Sequence, residues 1–178
     1  CRNAWSFPQR CNDGTYSEGG STNCTRCPPG WACPLTTQFA NVAFRCPEGT
    51  YSSGGQLACT PCRAGHYCPS IYQNVEIPCP AGSYSAAAMP NCTQCPVGFA
   101  CPSTDYSLQP PIACTVGTFS TGGQTACSVC PAGFACPSTT QDILVACPNG
   151  TWTIAGMQQC AFCKPGHYCP QTAVFASQ

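Results

Sequence analysis

Cysteine spacing constrains this chain more than any other feature. The pattern C-x12-C-x2-C-x5-C occurs five times, at 11, 24, 27 and 33; 46, 59, 62 and 68; 79, 92, 95 and 101; 114, 127, 130 and 136; and 147, 160, 163 and 169. The links from each fourth cysteine to the next first cysteine are 12, 10, 12 and 10 residues long, so the period alternates between 35 and 33 and a double unit spans 68. Self-similarity at this period means a tandem array in which each unit contacts chiefly its neighbours. The boundaries read as a remnant or cap over 1–10, then repeats over 11–45, 46–78, 79–113, 114–146 and 147–178.

Other residues keep the phase. An x-x-Gly-x-aromatic run follows each first cysteine and supplies Tyr16, Tyr51, Tyr84, Phe119 and Trp152, the expected packing aromatics along the array. A second x-x-Gly follows each third cysteine, and Pro34, Pro69, Pro102, Pro137 and Pro170 follow the fourth. The stretch from first to second cysteine predicts a β-hairpin, with Gly19-Gly20, Gly54-Gly55 and Gly122-Gly123 giving the positive φ of a tight turn. Ala86-Ala87-Ala88 replaces that pair in repeat 3, so a different turn is expected there. Between third and fourth cysteine the chain predicts a small ring bent at glycine. Each link starts polar and ends apolar, which predicts a strand docking on the next repeat. The fold class is therefore small, disulfide-rich and mainly β or irregular: an elongated tandem array of β-hairpin cysteine-rich repeats without a conventional core.

Two connectivities suit four such cysteines. First with second and third with fourth is preferred, because the first pair closes a hairpin and the second a seven-residue ring. That gives Cys11–Cys24, Cys27–Cys33, Cys46–Cys59, Cys62–Cys68, Cys79–Cys92, Cys95–Cys101, Cys114–Cys127, Cys130–Cys136, Cys147–Cys160 and Cys163–Cys169. The interleaved order of epidermal-growth-factor-like modules, first–third and second–fourth, is the alternative. Cys1 is the odd one out; its expected partner lies in an upstream segment, and a bond to a neighbouring subunit is the other reading.

Composition narrows the function. The 178 residues include 21 Cys, 19 Pro and 17 Gly, which disfavours long helices. Only 7 % are charged and the net charge is zero, so nothing marks a nucleic-acid partner or an anionic membrane surface. This thiol content suits an oxidising compartment, and the sequons at Asn23, Asn91 and Asn149 agree with it. An extracellular or cell-surface, secreted glycoprotein is expected. N-linked glycans are expected at those three residues, and the Ser/Thr-rich links permit O-linked ones. The chain shows no signal peptide, so it reads as mature or trimmed, and no apolar run approaches a membrane helix, so no direct membrane insertion is expected. Zinc on C-x-x-C pairs is the rival chemistry, and the secreted character argues against it. His66 and His167 share a phase, too far apart on a rod to bind one metal, and Asp13, Glu18, Glu48, Glu76, Asp105 and Asp142 are scattered without a calcium loop. No catalytic constellation emerges; no enzyme, cofactor or metal site is expected.

The run "CPEGTYSSGGQLACTPCRAGHYCP", Cys46–Pro69, resembles the ephrin-receptor-like cysteine-rich repeat and is similar in outline to modules of tumour-necrosis-factor-receptor and growth-factor-receptor cysteine-rich regions. The resemblance covers essentially the whole chain after Cys11. It implies an extracellular, extended, disulfide-clipped protein, of the kind whose long arrays occur in large surface and flagellar-hair (mastigoneme-like) proteins of algae and other protists. No kinase, transmembrane or death-domain segment accompanies the repeats, which turns the expectation away from a signalling receptor. A structural subunit of an extracellular fibre or surface appendage, packing on copies of itself, is the expected function. The alternative is a ligand-binding ectodomain of a receptor or adhesin, which would diversify the links.

Overall fold

The computed structural model describes residues 7–34, 43–69, 74–137 and 144–169. Cys1, Pro170 and the middles of the first, second and fourth links, with Asp142, lie outside the described residues. No helix occurs among the described residues; the regular structure is a series of two-residue strands paired antiparallel in twos. The chain divides into two compact units, Cys1–Cys79 with Ser85–Cys92 and Pro80–Tyr84 with Thr93–Gln178.

In the first unit β1 (Thr15–Tyr16) pairs with β2 (Thr25–Arg26), β3 (Trp31–Ala32) with β4 (Phe44–Arg45), β5 (Thr50–Tyr51) with β6 (Thr60–Pro61), and β7 (His66–Tyr67) with β8 (Ile77–Pro78). The second unit holds β9 (Ser83–Tyr84) with β10 (Thr93–Gln94) and β11 (Phe99–Ala100) with β12 (Ile112–Ala113). It also holds β13 (Thr118–Phe119) with β14 (Ser128–Val129), β15 (Phe134–Ala135) with β16 (Val145–Ala146), and β17 (Thr151–Trp152) with β18 (Ala161–Phe162). The fold is thus a tandem array of cysteine-rich hairpin repeats, with no closed sheet among the described residues.

Each repeat begins with a four-residue turn ending at its first strand. In repeat 1 the Thr15 N–H donates to the Asn12 carbonyl at 3.1 Å, with Gly14 at φ +71°. The ring has the same device: Trp31 N–H donates to the Pro28 carbonyl at 3.1 Å, with Pro29 and Gly30 (φ +79°) between them. Proline followed by a residue near +80° is the pattern of a type II turn, which only glycine enters without strain. The first turn changes how the hairpin disulfide is made. Register places Thr15 opposite Arg26 and Tyr16 opposite Thr25. Cys11 lies outside that ladder, so Cys11 and Cys24 are not the facing hairpin pair expected from sequence; the turn folds Cys11 back until the Cα atoms are 5.6 Å apart.

The link strand also departs from expectation. It does not dock on the next repeat but pairs back on the ring of its own repeat: Trp31 faces Arg45, Ala32 faces Phe44, and Cys46 N–H donates to the Gly30 carbonyl at 2.9 Å. Each complete repeat is therefore two stapled hairpins in series. The physical reason lies in the ring, whose third-to-fourth closure leaves β3 with one open edge next to the returning link.

What is buried is sulfur and small side chains. The third and fourth cysteines of repeats 1 to 4 are all buried, with Ala32, Ala100 and Ala135 beside them. The small hydroxyl residues Ser52, Ser85, Ser120 and Thr153 complete the interior. Tyr16, Tyr51, Tyr84 and Phe119 are half-buried and Trp152 is exposed, so the aromatics flank this interior and do not fill it.

Candidate functional site

The recurring built feature is the joint between one repeat and the next. It is made of main-chain bonds. Where repeat 2 meets repeat 1, Gly30 N–H donates to the Ser52 carbonyl (2.8 Å), Gly55 N–H to the Cys27 carbonyl (2.8 Å) and Cys33 N–H to the Gln56 carbonyl (2.9 Å). The hairpin loop of repeat 2 thereby caps the ring of repeat 1. Also within the first unit, Gly65 N–H donates to Ser85 O, Ala88 N–H to Cys62 O and Cys68 N–H to Met89 O. In the second unit Gly98 N–H donates to Ser120 O, Gly123 N–H to Cys95 O and Cys101 N–H to Gln124 O. The last described joint keeps Gly156 N–H to Cys130 O and Cys136 N–H to Met157 O, but Gly133 N–H donates to the Thr153 hydroxyl at 2.8 Å in place of a carbonyl. Three such bonds contribute about 3 kcal/mol net per joint before packing is counted.

The loops are fitted to their rings at one residue. Gly55, Ala88, Gly123 and Gly156 all have positive φ and all donate to a third-cysteine carbonyl. Their own carbonyl oxygens lie directly over Gly14, Gly49, Gly82 and Gly117, leaving no room for a Cβ. Repeat 3 was expected to turn differently for want of a Gly-Gly pair. Ala88 nonetheless takes φ +61° and the same place, and the difference is confined to the residue before: Gly54 and Gly122 are also positive, whereas Ala87 is not. The bond to Cys62 and the close fit on Gly49 hold alanine in a conformation it otherwise avoids.

The hydroxyls alternate with the 68-residue double unit. Ser52 and Ser120 accept from Gly54 N–H and Gly122 N–H within their own loops, each at 3.2 Å. Ser85 and Thr153 instead donate across the joint to His66 O (2.8 Å) and Phe134 O (3.1 Å). These four residues were not singled out from sequence. A legible signal existed: each directly follows the phased aromatic.

The cysteines join first to second and third to fourth in all five repeats, with Cα separations of 5.5–5.8 Å and 5.8–6.4 Å. Asn23, Asn91 and Asn149 are exposed. His66 is half-buried, with its Nδ1 enclosed and unpartnered, while His167 is exposed. No group of His, Cys, Asp or Glu that could hold a metal lies among the described residues. No described helix is long and apolar enough to cross a membrane.

Searches of protein-family models and of curated proteins found no match to this chain. The ring-and-loop joint itself must therefore carry any functional reading. One further local feature stands outside it. In the third link the Asp105 carboxylate accepts from Ser107 N–H (2.8 Å) and Leu108 N–H (3.2 Å), and Tyr106 stacks on Tyr84 at 5.4 Å between ring centres.

Proposed function

We propose that this chain is a structural subunit of an extracellular glycoprotein fibre or surface appendage, built by packing repeat on repeat. The observation that carries the reading is the joint: four times the same ring is capped by the same loop through the same three main-chain donors, with a hydroxyl replacing one carbonyl acceptor in the fourth. Such a contact is indifferent to most side chains and can be added serially. Twenty disulfide-bonded cysteines support an oxidising, extracellular setting, and exposed Asn23, Asn91 and Asn149 would carry N-linked glycans. The resemblance to ephrin-receptor-like repeats of protist surface and flagellar-hair proteins agrees with this role. Electron microscopy of purified native material tests it: fibres or appendages containing the chain are expected, and dispersed short monomers under physiological conditions would defeat it.

A ligand-binding ectodomain is the second reading. It is favoured by the third link, where the Tyr84–Tyr106 stack and the exposed Leu108 form an apolar, aromatic feature of repeat 3. Replacing Tyr106 and Leu108 by Ser would then abolish adhesion of the native material to its target surface while leaving any fibres intact.

A further inference from the structure

The third link, residues 102–113, is tied down by its own polar groups, and Asp105 organises it. Its Oδ1 accepts from Ser107 N–H at 2.8 Å and Leu108 N–H at 3.2 Å. Its N–H donates to the Ser103 hydroxyl at 3.1 Å, and its carbonyl accepts from Gln109 N–H at 3.1 Å. An aspartate that holds the amides following it fixes a local turn. The turn presents Tyr106 to Tyr84, whose backbone is set by the pairing of β9 with β10. The two ring centres are 5.4 Å apart and the planes 27° from parallel. Tyr84 is half-buried and Tyr106 is 44 % exposed, so one phenol is anchored and the other faces solvent.

Stacking alone does not call for two phenols. Packing uses only the rings, and the places equivalent to Tyr84 in repeats 4 and 5 hold Phe119 and Trp152. Two phenols in contact have a chemistry that phenylalanine lacks. Each gives one electron and its hydroxyl proton to an oxidant and becomes a phenoxyl radical, with spin shared onto the ring carbons beside the oxygen, Cε1 and Cε2. Two such radicals held together couple through one Cε–Cε bond. The hydrogen on each joined carbon then moves to that ring's oxygen and restores the hydroxyl. With a haem peroxidase as catalyst, two tyrosines and one hydrogen peroxide give one dityrosine and two waters. The bond asks one ring to tilt out of the stack, and the exposed side of Tyr106 leaves room for it. Partners held in place react as though present at very high concentration, which favours this pair over coupling between molecules. A free thiol would quench the radicals, but the twenty described cysteines are all cystines. Among the described residues no other two tyrosine rings are stacked.

We propose that Tyr84 and Tyr106 form a site of oxidative coupling, at which a haem peroxidase and hydrogen peroxide close a carbon–carbon bond between the first hairpin of repeat 3 and the link that follows its ring. The bond clamps the third link without using a cysteine. It goes beyond the fibre reading, since it forms within a single molecule.

Oxidation of the full chain at high dilution by a haem peroxidase with hydrogen peroxide tests it, on wild type, Tyr84→Phe and Tyr106→Phe. Phenylalanine keeps the ring and its packing but forms no phenoxyl radical. Wild type is expected to remain monomeric, lose two hydrogens in mass, gain dityrosine fluorescence and yield on digestion a cross-linked peptide joining Tyr84 to Tyr106. Each variant lowers the dityrosine content of the monomer by more than about tenfold. Dityrosine found only between molecules, or coupling in Tyr106→Phe equal to that of wild type, overturns the proposal and leaves the fibre reading untouched. Failure of wild type to couple while free tyrosine in the same solution does so overturns it equally.

Discussion

Gly82 and Gly150 hold the same place in their repeats, at φ +78° and +81°, but only Gly82 lies under a neighbour's carbonyl. Alanine at 150 meets only backbone strain, about 1–2 kcal/mol. Alanine at 82 meets the strain and the Gly123 oxygen, so a total loss of about 2–5 kcal/mol is expected, visible in urea unfolding and in exchange of the Gly123 amide. Ala88 offers the reverse test. Ala88→Gly relieves its positive φ and is expected to stabilise the first unit by about 0.5–1 kcal/mol, net of the added freedom of the unfolded chain. The sequons differ for a related reason. Thr25 and Thr93 are exposed, whereas Thr151 is buried and donates to the Pro148 carbonyl at 2.6 Å. Glycopeptide mass spectrometry should therefore find lower occupancy at Asn149 than at Asn23 or Asn91, since its threonine is withdrawn once repeat 5 folds. Sequence reading located the asparagines and cysteines because their chemistry is carried by side-chain type. It missed the strain at Ala88, which is imposed by a neighbour 26 residues away, at Cys62, and left no mark in the run of alanines.

At the scale of elements, the first hairpin was legible and the second was not. A Gly-x-aromatic strand beside a glycine turn announces itself through spacing and propensity. The pairing of β3 with β4 depends on which edge the third-to-fourth disulfide leaves open, and that is a property of the closed ring. The joints were hidden for a deeper reason, because main-chain donors and acceptors are the same at every residue. Their trace is the small buried hydroxyl after each phased aromatic. Thr153 is the most exposed to test, for its hydroxyl alone satisfies Gly133 N–H. Thr153→Val leaves that buried donor without an acceptor and is expected to cost about 1–3 kcal/mol, with a matching rise in exchange at Gly133. Thr153→Ser restores both. The Arg63–Glu76 ion pair serves as the contrast: Glu76 is 15 % exposed and also accepts from Arg63 N–H, but Arg63 is 72 % exposed and glutamine keeps an acceptor oxygen, so Glu76→Gln should cost about 1 kcal/mol or less.

For the whole molecule, stability is shared between cystines and joints; among the described residues no apolar side chain larger than alanine, cystine apart, is buried. A first-to-second clip closing a separation of 13 residues restricts the unfolded chain by roughly 3 kcal/mol. Mild reductant is accordingly expected to abolish amide protection across the joints of both units, while a chelator leaves it unchanged; the opposite pattern would restore the zinc reading. The same staples have a mechanical consequence. Under tension the force runs through sulfur and bypasses the stretches enclosed by each pair of cystines, which separate residues 13 and 6 apart. Roughly half of every repeat is thereby withheld from extension, given the reach of an extended chain per residue. A strand of such units would yield in short, self-limiting steps, each bounded by the residues left between successive cystines.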